Sequence, residues 1–112
     1  MEITFDRSQM LKAVNTAKTF AEGSSSMKIL QSTFVSAGFG RVRLTTTDLS
    51  IWCQVDLDAR TPQPGTVAVP VRTLGTVLKT LPNPAETKVL CRIFRAEEPS
   101  AKLLAVFTAF NI

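Results

Sequence analysis

The chain has 112 residues, of which 45% are hydrophobic, and its 13 lysines and arginines against 9 aspartates and glutamates give a net charge of +4. This length suits one domain with a substantial core, and the composition excludes a disordered or fibrous protein. Histidine is absent, which removes the commonest general base and the commonest metal ligand. The longest apolar run is far shorter than a membrane span, and the first residues lack a signal-peptide pattern. We therefore expect a cytoplasmic protein without membrane contact.

Hydrophobic periodicity predicts seven strands and two helices. In chain order these are a strand at 3–5, a helix at about 7–19, strands at 29–37, 41–47, 49–57 and 66–70, a helix at 71–81, and strands at 86–94 and 101–110. Asp6, followed three residues later by Gln9, is typical of a capping box that begins a helix. Residues 23–26 (GSSS) and 58–65 (DARTPQPG) are predicted to be loops because they are rich in turn-forming residues.

This order of elements suggests an internal repeat of one structural unit. Shifting the sequence by 64 residues superimposes six apolar positions, namely Ile3 on Val67, Phe5 on Val69, Met10 on Leu74, Ala13 on Val77, Val14 on Leu78 and Ala17 on Leu81. We therefore predict one α+β domain, residues 1–112, made of two pseudo-twofold βαβββ halves at about 1–60 and 61–112. The halves are expected to pair edge to edge, with both helices on one face of antiparallel sheets.

The polar faces of the two predicted helices contain no acidic residue after the capping Asp6. Opposite the apolar stripes lie Ser8, Lys12, Asn15, Thr16 and Thr19 on the first helix and Arg72, Thr76 and Lys79 on the second. Solvated helix faces usually mix both signs of charge. The face is therefore either an ordinary solvated surface or one that faces phosphates without reading a base sequence.

Asp48, in the stretch LTTTDLSIWCQVDL (44–57), is a candidate catalytic carboxylate or a turn residue. No lysine or second acid stands close to it in sequence, so we interpret it as the corner of a hairpin. Asp56 and Asp58 are spaced to share one strand face, but two carboxylates without further ligands are a poor cation site. We expect neither a metal nor a cofactor.

Three further side chains in apolar stretches are interpreted as structural. Cys53 and Cys91 stand in no CxxC motif, and we expect both to be buried, reduced thiols. Trp52 is expected to pack in or beside the sheet rather than to serve as a binding platform.

Four stretches of the chain together resemble the N-terminal domain of the bacterial sliding clamp, the beta subunit of DNA polymerase III. They are ITFDRSQMLKAV, KILQSTFVSA, LTTTDLSIWCQV and PGTVAVPVRTLGTVLKTLP, and the resemblance extends over nearly the whole chain. It implies a DNA-clamp domain in which both helices face a central channel. In the family, three such domains in each of two protomers close a ring around duplex DNA. The implied function is that of a non-enzymatic processivity factor that encircles DNA and tethers the replicative polymerase.

The resemblance also implies partners and site residues. Lys12, Arg72 and Lys79 would line the channel and face double-stranded DNA without sequence preference. Ser24 stands where the family often has a DNA-contacting arginine, and Lys28 is nearby. Polymerase and clamp loader are partners in the family, but the cleft that binds them belongs to later domains, outside these 112 residues.

Two interpretations of the whole chain stay open at this point. It is either a clamp domain that self-associates or joins further clamp domains, or a stand-alone clamp-like module that docks on a clamp or another replication protein. In the second case an exposed sheet edge, TVAVP (66–70) or AKLLAVFTAF (101–110), would add a strand to the partner. A small enzyme is a third interpretation, and it would need a polar pocket that the sequence does not indicate.

Overall fold

The computed structural model describes residues 1–21, 31–81, 88–95 and 103–110. Within these ranges the elements are β1 (Glu2–Asp6), α1 (Arg7–Thr19), β2 (Ser32–Gly38), β3 (Arg41–Thr47), β4 (Trp52–Asp58), β5 (Arg60–Gln63), β6 (Gly65–Pro70), α2 (Val71–Thr80), β7 (Lys88–Arg95) and β8 (Leu103–Phe110). The predicted loop at 23–26 lies outside the described residues. In the described part of the chain, neither helix is long and apolar enough to cross a membrane.

The strands form two four-stranded antiparallel sheets, and each sheet mixes strands from both halves of the chain. One sheet has the order β5-β1-β7-β8, and the other has the order β4-β3-β2-β6. With β5 taken as the connection between the halves, each half places its first strand (β1 or β6) beside the second strand of the other half: Ile3 of β1 lies opposite Cys91 of β7, and Val67 of β6 lies opposite Val35 of β2. The predicted α+β class is confirmed, and the two halves interlock through exchanged first strands.

The prediction that residues 58–65 form a loop is wrong. Residues 60–63 form β5, which pairs antiparallel with β1, with Arg60 opposite Thr4 and Gln63 opposite Glu2. Proline weakens a central strand because it lacks an N–H, but it is tolerated in an edge strand such as β5. Pro62, which contributed to the loop prediction, is therefore compatible with a short edge strand.

The core lies between the two helices and the inner faces of the sheets. The helix α1 buries Met10, Ala13, Val14 and Ala17, as its i, i+3, i+4 spacing predicts, and α2 buries Val71, Leu74 and Leu78. The sheets contribute Ile3, Phe5, Val35, Ala37, Val42, Leu44, Leu57, Val89 and Cys91. Gly75 lets the helices approach closely, because a Cβ atom built there would lie 3.4 Å from Cγ1 of Val14.

A buried arginine also joins the two helices. Arg7, at the start of α1, is only 7% exposed, and its Nε donates a hydrogen bond of 2.8 Å to the carbonyl oxygen of Leu78. Leu78 lies in the last turn of α2, where its carbonyl would normally accept from residue 82, and residue 82 is a proline without an N–H. Arg7 therefore supplies the missing donor and places a positive charge at the negative end of the α2 dipole.

Candidate nucleic-acid interface

The start of the first helix is fixed by the side chain of Asp6. Its Oδ1 accepts hydrogen bonds from the backbone N–H of Ser8 at 2.8 Å and from that of Gln9 at 3.4 Å. Asp6 is the N-cap, with extended backbone, so α1 begins directly after β1. The N-cap predicted for Asp6 is confirmed, and it fixes where α1 begins.

The exposed faces of α1 and α2 carry cations and uncharged polar groups. Lys12, Asn15, Thr16, Thr19, Arg72, Thr76 and Lys79 are all exposed, as the helical pattern predicts, whereas Ser8 is half-buried. The structure adds exposed Gln9, Thr73 and Thr80, and half-buried Lys18 in the last turn of α1. Since neither helix contains an acid, the two-helix face (the exposed side chains of α1 and α2) has only positive charges.

The cations are spread along this face rather than clustered. Arg7 near the start of α1 contacts Leu78 near the end of α2, while the middle residues Val14 and Gly75 approach each other, so the helices run antiparallel. Arg72 and Lys79 are seven residues apart, which places them on the same side of α2, about 10 Å apart along its axis. Lys79 therefore lies toward the start of α1 and Arg72 toward its end.

Four threonine hydroxyls on the two-helix face donate hydrogen bonds within their own helices. Thr16 donates to the carbonyl of Lys12 at 3.2 Å and Thr19 to that of Asn15 at 3.3 Å. On α2, Thr76 donates to the carbonyl of Arg72 at 3.0 Å and Thr80 to that of Val77 at 2.9 Å. These hydroxyl protons are not directed outward, so the attraction of this face for an anion comes from its lysines and arginines.

Two of the residues predicted to face DNA, Ser24 and Lys28, lie outside the described residues. Lys12, Arg72 and Lys79 have the exposure that contact with a large anion needs, and their role stays a prediction.

A groove of about 480 Å³ separates α1 from the edge strand β4 and contains charges of both signs. Lys12 lines it together with Arg41, Asp56 and Asp58. The sequence did not indicate the proximity of Lys12 and Arg41, since they are 29 residues apart and meet only through the packing of α1 on β3 and β4. Because Asp56 and Asp58 offset Lys12 and Arg41, the groove itself is a poor anion site, and Lys12, which also belongs to the two-helix face, has acids on its groove side.

Asp56 is held by an arginine on the neighbouring strand. Arg43 donates from Nε to Oδ1 at 2.7 Å and from Nη2 to Oδ2 at 3.0 Å. This hydrogen-bonded pair lowers the pKa of Asp56 and raises the pKa of Arg43. Asp58 lies opposite Arg41 in the same pair of strands. Within the described ranges, no three His, Cys, Asp or Glu side chains gather as metal ligands would.

Asp48 is the corner of the hairpin between β3 and β4, as predicted. Its Oδ1 accepts from the N–H of Ile51 at 2.8 Å and of Ser50 at 2.9 Å, and these bonds lower the pKa of Asp48. The hydroxyl of Thr47 donates to the carbonyl of Ile51 at 2.7 Å and accepts from the N–H of Leu49 at 2.9 Å. Leu49 has a φ of 79°, in the left-handed region. The Asp48 carboxylate thus stabilises the turn through hydrogen bonds to its backbone.

The expectation that Trp52 packs against the protein is wrong, since 64% of its surface is exposed. Trp52 begins β4, an edge strand whose alternate residues Trp52, Gln54, Asp56 and Asp58 are exposed. Cys53 and Cys91 are free thiols, as predicted, but only Cys91 is buried and Cys53 is half-buried.

Comparison with known proteins agrees with this geometry. Residues 1–97 match the family described as DNA polymerase III beta subunit, N-terminal domain. The beta sliding clamp of Caulobacter vibrioides is 26% identical over 112 residues, which is 100% of this chain and 29% of that protein. The chain thus spans less than a third of the length of the curated relatives it matches.

Solved structures give the same fold. A crystal structure of the DNA polymerase sliding clamp from Caulobacter crescentus matches with a TM-score of 0.81 at 24% identity, over 99% of this chain and 29% of that one. The DNA polymerase III beta subunit of Pseudomonas aeruginosa matches with a TM-score of 0.78 at 25% identity, over 98% of this chain and 29% of that one. With its two interlocked halves and its acid-free pair of helices, the chain belongs to the family of the DNA polymerase III beta subunit, N-terminal domain.

Proposed function

We propose that this chain is a wall segment of a DNA sliding clamp, in which the two-helix face borders the channel that encloses duplex DNA. The observation that carries the proposal is the pairing of this fold with two adjacent helices whose only exposed charges are positive. A closed ring retains DNA by topology, so its inner surface needs weak, sequence-independent attraction to phosphates rather than base contacts. The function is non-enzymatic, and it supports processive synthesis by a polymerase.

The charged side chains and the threonine hydroxyls have different roles in this surface. Lys12, Arg72 and Lys79 supply the attraction, and their spacing along antiparallel helices distributes it over the face. Thr16 and Thr76 donate hydrogen bonds within their own helices and therefore add little attraction for the phosphates. Such a surface keeps DNA close while allowing it to slide. By the resemblance to the family, Ser24 and Lys28 extend this surface, and Lys28 adds a further cation.

The finer assignments belong to the same proposal. Residues 1–112 form one clamp-type domain with halves at about 1–60 and 61–112, and the exchange of first strands between the sheets supports treating them as one unit. The partners are double-stranded DNA, further clamp domains or copies, and, through the assembled clamp, the replicative polymerase and clamp loader. The site of action is the cytoplasm.

The proposal is tested by the salt dependence of binding to a short duplex, followed by fluorescence anisotropy. Each phosphate contact contributes about −0.9 to the slope of log K against log salt, so three cations give about −2.7 and a loss of about 40-fold between 50 and 200 mM salt. The triple variant Lys12→Gln, Arg72→Gln, Lys79→Gln is expected to lose most of this slope.

A charge-matched control removes three cations from the strands, with Arg43→Gln, Arg60→Gln and Arg92→Gln. This control keeps the two-helix face, so its slope is expected to stay near that of the unmodified chain. Equal loss of slope in both triple variants would contradict the proposal, because binding would then depend on net charge and not on this face. Adding Lys28→Gln to the helix variant tests the extension of the surface.

A further inference from the structure

A cleft between α2 and the inner face of the β5-β1-β7-β8 sheet has no part in the proposed function. Its volume is about 200 Å³. Phe5, Met10 and Cys91 form a buried floor, while Val77, Ala105 and Phe107 are partly or fully exposed and lie toward its mouth. The cleft therefore extends from the surface, at β8 and α2, into the core.

The packing of α2 explains why this space is left. The helix packs chiefly against α1, β6 and β2, and Gly75 allows it to approach Val14 of α1 closely. Arg7 holds the end of α2 toward α1 through the carbonyl of Leu78. On the facing sheet, the small Ala105 lies opposite Ile93 and fills little of the gap. The helix α2 thus lies mainly over α1, β6 and β2, and it covers the β7–β8 pair only in part.

The chemistry of the cleft is almost entirely apolar. No charged side chain lines it, and the hydroxyl of Thr73 and the thiol of Cys91 are its only side-chain polar groups among the described residues. Burial raises the pKa of the Cys91 thiol to about 11, so this group stays neutral at physiological pH. Bound water needs two to four polar partners, and apolar cavities of about 150 Å³ in other proteins stay dry and bind benzene.

We propose that this cleft is a binding site for a small, neutral, apolar molecule about the size of one substituted benzene ring. The volume is below the range of about 300–1,000 Å³ that drug-sized ligands occupy, so the ligand is of fragment size. Charged analogues are excluded, because no group in the cleft can pair with a buried charge. The site shares Thr73 with the two-helix face but none of its lysines or arginines, so its test does not depend on the proposed function.

Toluene is the probe, and its binding is followed by NMR titration of the methyl signals of Val77 and Ile93 and of the amide signals of Val77, Ile93 and Phe107. Saturable shifts at these residues are expected, with benzoate and benzylammonium giving none. Ala105→Leu fills the mouth of the cleft and is expected to weaken binding at least tenfold. Val106→Leu is the matched control: Val106 is the next residue of β8, is 45% exposed and does not line the cleft, so binding is expected to be unchanged.

Several results would overturn the proposal. These are shifts that do not saturate, equal binding by benzoate, unchanged toluene binding in Ala105→Leu, and equal loss in Val106→Leu. Shifts of the same signals with protein concentration alone would also overturn it, because they would identify a second copy of the chain as the occupant. If Ala105→Leu does not fold, Thr73→Leu narrows the cleft from the helix side, and the same tenfold loss is expected.

Discussion

Replacement of Arg7 by methionine tests the contact that joins the two helices. Methionine keeps an unbranched stem in the core and removes the guanidinium, so the carbonyl of Leu78 loses its donor at 2.8 Å. A hydrogen bond from a charged donor contributes about 1.5–3 kcal/mol, and a cation at a helix C-terminus contributes about 0.3–2 kcal/mol. These two terms overlap, and methionine removes the desolvation cost of a buried charge. We therefore expect a loss of about 2 kcal/mol in the free energy of unfolding.

Urea unfolding followed by far-ultraviolet circular dichroism measures this loss. Trp52 fluorescence is a weaker probe, because its side chain is already 64% exposed in the folded chain. With a slope of about 1–3 kcal/mol per molar urea, a 2 kcal/mol loss moves the midpoint by about 0.7–2 M. Arg60→Met, at an exposed arginine of β5, is the control and is expected to change stability by less than about 0.5 kcal/mol. If Arg7→Met matched this control, the helix-joining role would be refuted.

Three other predictions follow from local contacts. Asp48→Ala should destabilise the fold at neutral pH, and because folding lowers the Asp48 pKa below its ordinary value of 3.8, the charge-dependent part of this loss should fade as the pH falls through the lowered pKa. The difference in thermal stability from the unmodified chain should therefore be smaller at pH 3 than at pH 6, and an equal difference at both pH values would contradict the reasoning. Gly75→Val should lower stability by about 1–3 kcal/mol relative to Gly75→Ala, because its extra methyl groups meet Val14; equal urea midpoints would contradict this. A thiol reagent at pH 8 should modify Cys53 well before buried Cys91, whose pKa is about 11, and should modify both at similar rates in urea; equal rates in the native protein would contradict it.

Local signals in the sequence predicted the elements that depend on neighbouring residues. The helix α1 has the predicted bounds, 7–19, because Asp6 caps it and its apolar residues recur at helical spacing. Asp48 was identified as a turn residue because its hydrogen-bond partners, Ser50 and Ile51, are two and three residues away. The acid-free polar faces of both helices could also be predicted, since helical spacing alone decides which residues share a face.

The features that the sequence did not predict depend on contacts between distant residues. Strand β5 exists because it pairs with β1, and nothing inside its own four residues indicates a strand. The contact of Arg7 with Leu78 spans 71 residues, and Lys12 meets Arg41 only when α1 packs on its sheet. Trp52 was expected to pack because it stands in an apolar stretch, but it lies on the exposed side of edge strand β4, in alternation with Gln54 and Asp56.

The exchange of first strands has a consequence for how the chain folds during synthesis. Strand β1 leaves the ribosome before the other strands, yet its neighbour β7 begins at Lys88, so the apolar Ile3 and Phe5 have no strand beside them on that side until β7 has been made. Such distant pairing slows folding and prolongs the exposure of strand edges. Neither half can complete its sheet alone. We expect separate halves cut near residue 60 to be much less stable individually than the whole domain and to assemble when mixed.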